Sequence, residues 1–62
     1  MTANQVRRLE EAKRIVVGLI NELDEALNEM SEVKAEGEEG ERLKENIDNL
    51  TNASDSLDEV AP

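Results

Sequence analysis

Apolar residues recur at spacings of three and four along the first half of the chain: Val6, Leu9, Val16, Ile20, Leu23, Leu27 and Met30. Only Lys13 interrupts the series. Such residues return to one face of a helix with 3.6 residues per turn, so the pattern predicts one long amphipathic helix. Written as heptads, Val6, Lys13, Ile20 and Leu27 hold position a. Leu9, Val16, Leu23 and Met30 hold position d. Ala12, Leu19, Ala26 and Val33 fall at g and widen the apolar stripe on one side. A two-stranded zipper does not need that width, whereas a bundle helix does.

The run Ile15-Val16-Val17-Gly18-Leu19-Ile20 also suits a β-strand, since Ile and Val favour strands. No turn residues bound it, and the helical period passes straight through. The helical reading therefore wins. Gly18 costs about 1 kcal/mol inside a helix. It either marks a close helix–helix approach or is simply tolerated.

Helix limits follow from local chemistry. Thr2 and Gln5 have the capping-box spacing, which predicts a start near Ala3. Gly37 predicts a stop, so the first helix is expected over about 3–35. The segment Glu36-Gly37-Glu38-Glu39-Gly40-Glu41 reads as an acidic turn at 36–40. A second helix is expected over about 41–57, with Leu43, Ile47, Leu50 and Leu57 on its apolar face and Ser54 in the gap. Thr51–Ser56 is poor helix material, so the second helix is expected to fray or break there. Val60-Ala61-Pro62 reads as a frayed end.

These elements define an all-α fold: a two-helix antiparallel, coiled-coil-like hairpin filling residues 1–62. Closing it at the acidic turn sets Leu43 near Val33 and Lys34, Ile47 near Met30, Leu50 near Leu27 and Leu57 near Ile20. The first fifteen or so residues then overhang. An interface is expected along Val6, Leu9, Ala12, Ile15, Val16, Leu19, Ile20 and Leu23, because an uncovered apolar stripe on a water-borne chain marks one.

Composition points the same way. The chain has 62 residues and no Phe, Trp, Tyr, Cys or His. A chain this short buries a modest share of its surface, and the staples that small domains use are missing. Another chain is the remaining source of buried area. A homodimer forming a four-helix bundle is the expectation, twofold dimers being the commonest oligomers.

The net charge is −9, from sixteen acids and seven bases. Residues 1–20 hold four bases and two acids; residues 21–62 hold three bases and fourteen acids. Arg7, Arg8, Lys13 and Arg14 thus form a basic arm on an acidic hairpin. Bases near a helix N-terminus oppose its dipole. One local reason for them is an i,i+4 pair from Glu10 to Arg14. A larger one is contact with the acidic turn (Glu36, Glu38, Glu39 and Glu41) of a twin chain.

Enzyme chemistry is not expected. Without His or Cys, the usual general base and thiolate are absent. Paired acids such as Glu10/Glu11, Asp24/Glu25 and Glu38/Glu39 are neighbours in sequence and do not share a helix face. No EF-hand spacing occurs, so no metal or other cofactor is expected. Gly37 and Gly40 sit among glutamates that repel phosphate. Asn49-Leu50-Thr51 and Asn52-Ala53-Ser54 match the glycosylation pattern but read as chance matches.

The charge also argues against direct nucleic-acid binding. The longest apolar run, Ile15–Ile20, is far too short to cross a membrane, and no secretion signal opens the sequence, so a cytoplasmic location is expected. The reading that results is a small acidic interaction or regulatory protein that self-associates and binds a larger, basic partner. Two alternatives remain. One is a phage-type inhibitor that imitates nucleic acid for a basic protein. The other is an assembly or secretion cochaperone.

Overall fold

Three helices make up the structure, a computed structural model that describes residues 1–60: α1 (Ala3–Glu29), α2 (Glu32–Glu36) and α3 (Glu38–Asp58). Ala61 and Pro62 of the expected frayed end lie outside the described residues. The protein is all-α, and α1 and α3 pack against each other as antiparallel partners.

α1 starts as its capping box requires. The Gln5 amide donates to Thr2 Oγ1 at 3.2 Å, and the Thr2 amide donates to Gln5 Oε1 at 2.9 Å. Each bond satisfies a donor that a helix N-terminus otherwise leaves unpaired. The helix does not run to residue 35. It ends at Glu29, because Met30 turns extended (φ −70°, ψ 146°) and Ser31 caps a new helix by accepting from the Lys34 amide at 3.3 Å. Val33 therefore leaves the stripe that continues from Ala26 and stands 83% exposed.

Gly37 is the second joint. It closes α2 and opens α3 with an extended backbone (φ −82°, ψ −175°) that any residue adopts, so its role is not a left-handed one. α3 begins at Glu38, earlier than expected, and this moves Gly40 out of the turn and into a helix. Gly40 is the only buried residue among the described residues. A Cβ built on it would collide with the backbone of Ala35. A side chain there would push α2 off α3, so the acidic segment is two structures: a joint at Gly37 and a packing contact at Gly40.

α3 is continuous through Thr51–Ser56, where a break was expected. Thr51 Oγ1 donates to the Ile47 carbonyl at 2.8 Å, which ties the hydroxyl to its own helix. Half-buried residues on α3 are Leu43, Ile47, Leu50, Ser54 and Leu57, the anticipated seam. On α1 they are Val6, Leu9, Lys13, Val16, Ile20, Leu23 and Leu27, together with the small residues Ala12 and Gly18. From Lys13 onward the α1 stripe closes on that of α3, and no side chain on either is fully buried.

The register differs from the expected one. Lys13 Nζ lies 3.7 Å from Asp58 Oδ1, so the end of α3 lies level with Lys13 and not with Ile20. The extra joint at Met30–Ser31 is the cause: α1 ends earlier, and α3 runs back further along it. The overhang shrinks accordingly to the first dozen or so residues.

The result is a thin rod, 48 × 15 × 11 Å, with a Cα radius of gyration of 14.6 Å. A compact domain of this length has about 11 Å. The accessible surface is 4817 Å², where a folded monomer of this mass exposes about 4000 Å².

Candidate interaction surface

The expected interface residues divide between two faces of α1. Val6, Leu9, Val16, Ile20 and Leu23 lie on the half-buried seam. Of these, Val16, Ile20 and Leu23 are level with α3, and Val6 and Leu9 lie beyond Asp58. Ile15 and Leu19 do not join them. They are 59% and 43% exposed, one helical turn apart on a neighbouring face, with the half-buried Ala12 beside them. Val17, 45% exposed, stands alone on the other flank. Gly18 has open space where a Cβ would sit, so no other helix among the described residues approaches it.

The charged groups separate along the rod. Arg7, Arg8 and Arg14 are exposed near one end, and Lys13 is engaged with Asp58. The expected Glu10–Arg14 pair is not among the ion pairs within 4 Å; those among the described residues are Lys13–Asp58, Arg42–Glu38 at 3.8 Å and Lys44–Glu41 at 3.4 Å. The last two are i,i+4 and i,i+3 pairs on α3, a spacing legible in the sequence. They engage Glu38 and Glu41 locally, and Glu38, Glu39 and Glu41 also lie in the first turn of α3, where acids complement the helix dipole.

No protein-family model, curated protein or solved structure matches this chain.

Arm and acidic joint cannot meet within one molecule. About twenty helical residues separate Arg8 from Glu29, roughly 30 Å at 1.5 Å per residue. At the acidic end, Ala26, Glu29, Met30, Ser31, Lys34 and Glu39 line an open cleft of about 380 Å³ where α1, α2 and the start of α3 meet. Two carboxylates and one ammonium share its wall. Sequence reasoning did not anticipate this cleft, since it exists only because the chain bends at Met30–Ser31. No group of three or more potential metal-ligating side chains occurs among the described residues, and no helix among them is long and apolar enough to cross a membrane.

Proposed function

We propose that this protein is a small, non-enzymatic interaction module. It self-associates through the helical hairpin and presents its acidic joint to a larger, basic protein. The observation that carries the reading is the missing core: two long helices pack, yet not one side chain among the described residues is fully buried. A chain in that condition gains most by burying further apolar surface against another copy. The surface excess of about 800 Å² over a compact monomer is close to one partner's share of a standard interface.

The acidic joint supplies the second half of the reading. Glu36 and Glu39 are exposed and have no cation within 4 Å among the described residues, and they sit at the far end of the rod from the basic arm. Clustered carboxylates on a rigid scaffold raise the on-rate for a cationic surface and select against anionic ones.

The test is capture of host proteins on the immobilised chain, read by mass spectrometry, beside a variant with Glu36, Glu38, Glu39 and Glu41 changed to Gln. Basic proteins retained at low salt, released as salt rises and lost by the variant support the reading. Equal capture by both forms at all salt concentrations contradicts it.

A further inference from the structure

α1 carries a second heptad series, one residue N-terminal to the seam: Arg8, Ala12, Ile15, Leu19, Glu22, Ala26 and Glu29. A one-residue offset rotates the stripe by about 100°, so this series forms a separate face beside the one that packs on α3. Its centre is apolar and exposed, with Ile15 at 59% and Leu19 at 43%. Its N-terminal end is basic and its C-terminal end acidic. α1 as a whole repeats that polarity: four bases and two acids lie over 3–20, and four acids with no base over 21–29.

A face with this sequence is complementary to itself turned end for end. We infer that a second copy of the chain covers it, with the two α1 helices antiparallel and the twofold axis passing between Ile15 and Leu19. Ile15 then meets Leu19 of the second copy, twice by symmetry, and Ala12 meets Glu22. Arg8 falls opposite Ala26, with Glu22 and Glu29 one turn to either side. Ala26 and Glu29 line the cleft at the α1–α2 corner. The Arg8 guanidinium of each copy enters the cleft of the other, between the carboxylates of Glu29 and Glu39, which outnumber the Lys34 ammonium on the same wall, while Glu36, Glu38 and Glu41 stay exposed for the basic partner.

The competing arrangements are worse for stated reasons. Parallel pairing on this face sets Arg8 against Arg8 and Glu22 and Glu29 against their own copies, and opposed like charges disfavour a complex. A slip that centres the axis on Leu19 sets Ile15 beside Glu22, an apolar side chain against a carboxylate that must then lose water. The register proposed here alone joins the two large exposed apolar residues of this face, Ile15 and Leu19, to each other while pairing the charges. It rests on the self-association proposed above, and it fixes which face, direction and register carry it.

The chain has no cysteine, so introduced thiols report contacts without background. Three single variants of the full chain are made: Ala12→Cys, Glu22→Cys and Ala26→Cys. Each is checked for helicity by circular dichroism and for mass by light scattering. They are then oxidised alone and in pairs. In the proposed register the Ala12 and Glu22 positions face each other, whereas each lies about 15 Å from its own copy along the axis. That is beyond the 4.4–6.8 Å that a disulfide spans between Cα atoms. The expected result is a cross-linked dimer from the Ala12→Cys and Glu22→Cys mixture and none from either alone. A dimer by light scattering that cross-links Ala12→Cys to itself overturns the direction. One that cross-links Ala12→Cys to Ala26→Cys, and not to Glu22→Cys, overturns the register. Both outcomes leave self-association standing, whereas a monomeric mass for the unmodified chain overturns the two together.

Charge reversal gives an independent check on Arg8. Arg8→Glu is expected to weaken the dimer about 2- to 30-fold, from two symmetry-related contacts. Mixing it with a Glu29→Lys, Glu39→Lys protein restores pairing as a heterodimer. If Arg8→Glu dimerises as the parent does, the guanidinium does not occupy the cleft.

Discussion

Gly40 lies so close to the backbone of Ala35 that no Cβ fits between them. This contact fixes the angle between α2 and α3, and so the acidic corner of the molecule. Gly40→Ala must displace backbone, which costs about 1–3 kcal/mol, against a helix-propensity gain of about 1. Gly18 is the counter-case, with open space around it in the middle of α1. Gly18→Ala is expected to stabilise by about 0.5–1 kcal/mol. Urea unfolding of both variants checks the pair. Equal shifts of one sign contradict the assignment.

Two caps are expected to differ little in kind and more in consequence. Thr2→Ala removes half of a reciprocal capping box and should cost about 0.5–2 kcal/mol. Ser31→Ala removes the bond that starts α2. Because α2 is only five residues long, its loss should also loosen the Gly40 contact. Amide hydrogen exchange is the measurement: Ser31→Ala should lower protection over 32–41 and leave the middle of α1 unchanged.

Lys13 occupies an apolar heptad position and reaches Asp58 across the seam, with side-chain exposures of 30% and 65%. An ion pair this exposed contributes little, so Asp58→Asn should shift stability by less than about 0.5 kcal/mol. Lys13→Leu completes the heptad series and should stabilise by about 1 kcal/mol through added apolar burial. Thermal melts decide between them. If Asp58→Asn costs more than Lys13→Leu gains, the pair carries more than its exposure implies.

The two apolar faces of α1 are separable by substitution. Ile20→Asp places a carboxylate in the seam with α3 and should abolish helicity at any concentration. Ile15→Asp leaves the seam intact and should weaken self-association at least about tenfold, from lost apolar burial of roughly 1.5 kcal/mol or more. Circular dichroism at high concentration, combined with a dilution series, distinguishes the two. Loss of helicity in both, even at high concentration, would show that the faces form one core.

The all-helical class, the Thr2 cap and both apolar seams were legible in the sequence. Each depends on residues three or four apart on one helix, where spacing alone sets the geometry. The Met30–Ser31 joint was not read, although Ser31 followed by Glu32 is a fair helix-start signal. The continuing pattern through Val33 and the later Gly37 outweighed it. The register error followed from that omission, because moving a joint slides the whole of α3 along α1. The role of Gly40 was not legible either. Its need for a bare backbone arises from Ala35, and only folding brings the two together. Of the expected interface residues, Ile15 and Leu19 read as part of a single stripe. The structure puts them on a face of their own, because α3 covers the neighbouring one.

On the proposal above, this hairpin gains its missing apolar burial from a second copy of itself. Light scattering after size exclusion, over a dilution series reaching about tens of micromolar, decides whether it does. The dimer gives twice the 6.9 kDa of one chain at the upper end, with a melting temperature that rises as concentration rises. A mass of one chain throughout, with a cooperative melt that does not depend on concentration, rules the dimer out.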